Sequence, residues 1–178
     1  MMASHVARSF GREIALLSPM PRIQTKCLGE VEYSSHAVFT FPLGIPGFEN
    51  EHTFVFLERP DAHPLMFMQS TATPKLCLIL MPILAADRHY KLRLAAEDLS
   101  ALQLPAHKQP RIGKEILCAV VVCAGGEDRP DPTANLLAPI VVNLKRQIGI
   151  QVIQTQVHYS YRHPLFAGHS HEELALCS

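Results

Sequence analysis

Phe41-Pro42-Leu43-Gly44-Ile45-Pro46-Gly47-Phe48-Glu49 is the stretch whose reading decides the fold. An alternating apolar run, Val38-Phe39-Thr40-Phe41, leads into it, and a second, Thr53-Phe54-Val55-Phe56-Leu57, leads out. Alternation with period two is the mark of a strand with two different faces. Between the runs, Ile45-Pro46-Gly47-Phe48 reads as a type II turn, with proline fixing φ at the second position and glycine supplying positive φ at the third. Pro42 has no N–H and ends the incoming ladder. Phe41 and Phe48 flank the turn as large rings able to pin it to a core. Two strands joined this way make an antiparallel corner.

Working outward, the chain shows more short strands than helices. Ile23–Cys27, Val31–Tyr33, Leu65–Gln69, Tyr90–Leu94, Ile116–Cys123, Ile140–Val142 and Ile150–Ile153 all read as strands, with Gly29 marking a bulge or bend. Leu76–Met81 is continuously apolar, which implies burial on both faces. Glu58–Pro64 is a proline-bounded loop, and Gly125–Pro132 is a polar one. One segment reads as a helix, Ala95–Leu102, with Glu97 and Asp98 in its first turn and Pro105 behind it. Many strands, frequent turns and one short helix predict a mainly β fold, a small antiparallel barrel or sandwich. The expected division is an N-terminal extension over 1–22, a barrel domain over 23–165 and a tail over 166–178. The stretch before Met20 reads either as a flexible arm or as the product of an early start codon with Met20 as the true initiator, and the sequence leaves both open.

The totals narrow the function. The 178 residues carry 16 basic and 16 acidic side chains, so net charge offers no general attraction to nucleic acid or membrane. Charge is uneven along the chain. Glu30, Glu32, Glu49, Glu51, Glu58 and Asp61 face only Arg59 between 30 and 61, while 132–171 holds Lys145, Arg146 and Arg162 and no acid. The longest apolar stretch, Leu76–Ala86, is too short to span a bilayer and is broken by Pro82. Five cysteines at irregular spacings, Cys27, Cys77, Cys118, Cys123 and Cys177, read as reduced core thiols in a cytoplasmic protein. Cys118 and Cys123 are an odd number of residues apart on one strand and so point to opposite faces, which argues against a shared metal.

Catalytic signals are missing. There is no nucleophile elbow, no phosphate-cradling glycine loop, and no histidine pair at ligand spacing among the ten histidines. No catalytic, cofactor or metal residue is assigned. A direct RNA binder is the alternative reading, with Tyr159 and Tyr161 stacking bases beside Lys145, Arg146 and Arg162.

A second compact motif stands far downstream, Thr133-Ala134-Asn135-Leu136-Leu137-Ala138-Pro139-Ile140-Val141-Val142-Asn143. Thr133 and Asn135 suit backbone capping, Pro139 the start of a strand and Asn143 its exit. The two motifs, together with Thr25, Gly29-Glu30, Gln69-Ser70, Gln151 and Pro164-Leu165, resemble the flagellar assembly factor FliW family in order from about Ile23 to Leu165. The resemblance implies an antiparallel β-barrel with an attached sheet. It implies a cytoplasmic protein that binds flagellin and the translational repressor CsrA, relieving repression of flagellin mRNA, with no catalysis and no cofactor. Family motif positions here are Phe41, Pro42, Gly44, Pro46, Gly47, Asn135, Pro139, Asn143 and Gln151; they either hold barrel corners or touch partners. The candidates for partner contact are Ile45 and Phe48, provided the core does not claim them, with Glu49 and Glu51 beside them. An acidic patch there would steer the approach of a basic RNA-binding protein.

Overall fold

The structure, a computed structural model, describes residues 20–25, 28–125, 131–155 and 158–165. The N-terminal arm, Cys27, Cys177, the C-terminal tail and the centre of the 125–132 loop lie outside the described residues. Among the described residues eleven strands form in chain order: β1 (Arg22–Thr25), β2 (Gly29–Glu32), β3 (Val38–Thr40), β4 (Thr53–Glu58), β5 (Met66–Ser70), β6 (Cys77–Pro82), β7 (Ile116–Cys123), β8 (Thr133–Ala134), β9 (Ile140–Asn143), β10 (Ile148–Gln151) and β11 (His163–Pro164). Helices are α1 (Ile83–Ala86) and α2 (Ala96–Ala101). The fold is mainly β, as expected.

Seven strands close on themselves in the order β3-β4-β5-β6-β7-β9-β10, the last pairing back to β3. Every pairing in the ring is antiparallel except that between β10 and β3, where Ile148 lies opposite Thr40 in parallel. Closure leaves no ladder edge within the ring, which removes the exposed edges of an open sheet. Past Ala119, β7 leaves β9 and pairs with β8, which in turn pairs with β11. This is the attached sheet.

Three apolar clusters arise because most strands are covered on both faces. Phe39, Phe41, Phe54, Met66, Met68, Leu80, Ala119, Ile140 and Val142 fill the barrel interior. The β1–β2 hairpin lays Ile23 and Val31 over Val55 and Leu57 on one outer wall. The segment containing α1 and α2 covers another wall, with Ile83, Leu94, Leu99 and Leu102 against Cys118, Val120, Val141 and Ile150. At the centre of the interior the Phe41 ring packs edge-on to Phe54, with centroids 5.3 Å apart. It fills the space a side chain at Gly149 would need: a Cβ there would come within 2.3 Å of the ring.

Several local expectations are corrected. Residues 90–94 alternate like a strand but, among the described residues, pair with no strand. Their backbone is met by side chains instead: Tyr159 Oη accepts from the Lys91 N–H, Gln154 Oε1 from the Arg93 N–H and Gln109 Oε1 from the Leu94 N–H. Side-chain amides and hydroxyls can satisfy backbone groups as a ladder would. Of the bulge or bend read at Gly29, it is the bend that forms: with φ +71° the residue closes the β1–β2 hairpin opposite Thr25. A second helix, α1, follows Pro82, which a helix tolerates at its N-terminus. The Glu58–Pro64 loop contains a 3-10 turn, Pro60–Ala62.

Candidate functional site

The two sequence motifs, at 41–49 and 133–143, meet at one end of the barrel. β3 ends there, β4 begins, β7 and β10 end and β9 begins, so the 41–49 loop and the 133–139 segment emerge side by side. Between them lies a groove of about 230 Å³. Ile45, Pro46 and Phe48 line it from one motif and Thr133 and Asn135 from the other, with Gln151 and Tyr161 completing the wall.

The first motif is held by its own backbone. The Phe48 N–H donates to the Ile45 carbonyl at 2.6 Å, and the Ile45 N–H donates back to Phe48 at 3.3 Å. Gly47 has φ +86°, which fits the third position of a type II turn. A preceding turn, closed by the Gly44 N–H on the Phe41 carbonyl at 2.9 Å, puts Gly44 at φ +66° with its α-carbon against the Glu49 backbone. Glu49 Oε1 accepts from the Gly47 N–H at 2.8 Å, and this bond, then the one from its own N–H, holds its carboxyl below the usual carboxylate range.

The second motif works through amides. Asn135 Oδ1 accepts from the Ala138 N–H at 3.1 Å, and the Ala138 carbonyl accepts from Gln151 Nε2 at 2.9 Å. Asn143 is buried: its Nδ2 donates to the Leu102 carbonyl at 2.8 Å, and its Oδ1 accepts from the N–H groups of Lys145 and Arg146. Pro139 stands immediately before β9, where a missing N–H is harmless. Phe41, Gly44, Gly47, Asn135 and Gln151 therefore do structural work at the groove end, while Asn143 secures the β9–β10 turn at the other end of the barrel. Pro42 and Pro46 are exposed within the first motif.

The contact candidates separate. Phe48 is 41% exposed at the groove's edge. Ile45 is 3% exposed and belongs to the interior cluster, so the condition placed on it is not met and it is withdrawn as a contact. Glu51 faces its own chain: Ser70 Oγ donates to Oε2 at 2.6 Å and Thr73 Oγ1 donates to Oε1. Those two bonds, Ser70's first, lower its pKa. The acid-rich stretch is partly neutralised as well, since Arg22 pairs with Glu30 and Glu32, and Arg59 with Asp61.

The RNA-contact set is not brought together. Tyr159 is 8% exposed and stacks on Tyr90 at 4.2 Å, so no base can reach its face. Lys145 and Arg146 occupy the β9–β10 turn, at the barrel end opposite the groove that Tyr161 lines. Tyr161 itself is 59% exposed, with the Arg162 guanidinium 4.9 Å above its ring. Sequence reasoning missed Cys123, read as a core thiol, as a groove residue. It is exposed while Cys118 is buried with its thiol pKa pushed up to about 12 by desolvation. The odd spacing of the two cysteines was the available signal. Among the described residues no group of three or more His, Cys, Asp or Glu is placed to hold a metal ion, and no helix is long and apolar enough to cross a membrane.

Comparison with known proteins bears on this geometry. The family model described as FliW protein matches residues 22–165. The flagellar assembly factor FliW of Syntrophomonas wolfei is 32% identical over 152 residues, covering 85% of this chain and 93% of that one. That of Desulfitobacterium hafniense is 35% identical over 145 residues, covering 82% and 91%. A crystal structure of the flagellar assembly factor FliW superposes with a TM-score of 0.71 at 33% identity, covering 82% of this chain and 97% of that one.

Proposed function

From the premise that this chain belongs to the FliW family of flagellar assembly factors, we propose that it binds flagellin and CsrA in the cytoplasm. On this reading, capture of CsrA relieves its repression of flagellin mRNA translation. The protein acts by occupancy and does no chemistry on its partners. The observation that supports this most is the convergence of both family motifs on one groove whose rim carries two exposed aromatic rings, Phe48 and Tyr161. Aromatic anchors beside rigid backbone are what a protein interface needs, because they bury large area at small entropic cost. Glu49 and Glu51 are placed near the groove but engaged locally, so affinity rests on the apolar rim, with acids contributing to encounter. The separation of Tyr161 from Lys145 and Arg146 weighs against a direct RNA interface.

A single titration tests the proposal. The protein is added to labelled flagellin leader RNA, alone and with CsrA already bound. The expected result is no RNA binding alone and release of RNA from CsrA in the second case. Tight RNA binding by the protein alone, or no capture of CsrA at micromolar concentrations, overturns it. A pull-down of flagellin from the same genome tests the second partner.

A further inference from the structure

The opposite end of the barrel holds a second site. β3 begins there, β4 ends, β5 and β7 begin and β9 ends, and the strands open onto a cavity of about 160 Å³. Its walls are Phe39, Phe56, Met66, Ile116, Leu117 and Leu144. A dry cavity of nearly this size, lined by the same kinds of side chain, is known to take a benzene ring. The barrel is plugged between this cavity and the motif groove by Phe41, Phe54, Met68 and Leu80, all fully buried, so the two sites do not communicate.

Among the described residues one ionisable side chain lines the cavity, Glu58, exposed at the end of β4. Among the described residues its carboxylate makes no ion pair and no side-chain hydrogen bond. The nearest acid in sequence, Asp61, is paired with Arg59, so that arginine does not neutralise Glu58. Lys114 and Lys145 follow lining residues in the chain, but neither lines the cavity nor pairs with Glu58. An apolar hole of ring size with a single unpaired anion at its mouth is complementary to an aromatic group carrying a positive charge close by.

We propose that this barrel end is a docking site for a partner polypeptide, which inserts one aromatic side chain between Phe56, Met66 and Leu117 and sets an adjacent lysine or arginine against Glu58. The site goes beyond the function proposed above and stands on different residues, so a failure here leaves the groove untouched. Holding a partner at each end of a plugged barrel would let the protein engage two polypeptides at once.

The test uses the full chain with labelled methyl groups and three capped dipeptides: N-acetyl-phenylalanyl-lysine amide, N-acetyl-phenylalanyl-glutamate amide and N-acetyl-alanyl-lysine amide. The phenylalanyl-lysine probe is expected to shift the methyl signals of Met66, Ile116, Leu117 and Leu144 saturably, with a Kd on the order of millimolar for so small a ligand. Ile153 and Leu43 methyls, remote from the cavity lining, should stay still. The glutamate probe should bind about threefold more weakly, as expected for one exposed charge pair, and the alanyl probe should cause no such shifts. Glu58→Gln, at an exposed position, should abolish the preference for lysine while leaving ring binding intact. Leu117→Phe, which fills the cavity from within, should abolish binding of every probe. The proposal is overturned if no probe shifts these methyls, if alanyl-lysine shifts them as phenylalanyl-lysine does, or if Glu58→Gln keeps the preference. It is also overturned if the methyls move on concentrating the protein alone, which would identify a second copy of the chain as the occupant.

Discussion

Phe41 and Phe48 flank one turn, and their fates are opposite. Phe41 is fully buried, its ring seated against Phe54 and over Gly149 in the middle of the barrel. Phe48 stands at the rim of the groove with two fifths of its surface in solvent. The two glycines between them divide the same way. A Cβ at Gly44 would lie 2.5 Å from the Glu49 carbonyl oxygen, whereas one at Gly47 would meet nothing within 4 Å. The motif thus has an inner half that builds the barrel and an outer half that is shown to solvent. Identical residue types in one nine-residue stretch carry different functions because only one of each pair points inward.

The sharpest way to break that contrast is at the core. Phe41→Ala should cost about 3–5 kcal/mol of unfolding free energy by urea melts, the usual range for emptying a phenylalanine site. Gly149→Ala should cost less in a Phe41→Leu background than in the parent, because the two positions compete for one space. Additive effects would show that the ring does not seat on Gly149.

Next in size come the glycines. Gly44→Ala should destabilise by more than about 2 kcal/mol, combining positive φ with a backbone clash, while Gly47→Val should cost about 1–2 kcal/mol from positive φ alone. If the order is reversed, the inner and outer halves have been misassigned.

A smaller effect is expected at Glu51, whose carboxylate secures the 70–73 turn against the outgoing end of the motif. Its folded-state pKa lies below the ordinary 4.5, so the unfolded chain binds the proton more readily. The stability this contributes is complete above about pH 4.5 and is lost as pH falls through the lowered value. Glu51→Gln should therefore flatten the acid limb of a stability-against-pH curve measured by thermal melting. An unchanged limb would mean the hydroxyl bonds contribute nothing.

Phe48→Ala should change folding least, within about 1 kcal/mol, since the ring is not part of the barrel interior. In a binding assay its effect should be large, a loss of about 2 kcal/mol or more in capture of CsrA if it is an anchor. A variant that loses stability and keeps binding would place Phe48 with Phe41, and the contrast would collapse.

Much of this was legible in the chain. Period-two runs and proline–glycine punctuation foretold the strands and the type II turn, because both are set by backbone sterics within four or five residues. Asn143 and Pro139 were placed at a strand's exit and start for the same reason. The sequence misread Tyr90–Leu94, where alternation is present but the partners are Tyr159, Gln154 and Gln109, side chains 15 to 68 positions away. It also grouped Tyr159 with Lys145 and Arg146 on grounds of proximity in sequence. What the chain determined by itself was most of what local φ and ψ govern: the majority of the strands, the type II turn and the glycines that make it. What only the tertiary structure decided was which ring of the motif is core and which is rim, and that two motifs far apart share one groove. That outcome depends on how β3, β7, β9 and β10 register as the barrel closes, and register is fixed by non-local burial that no short window of sequence contains.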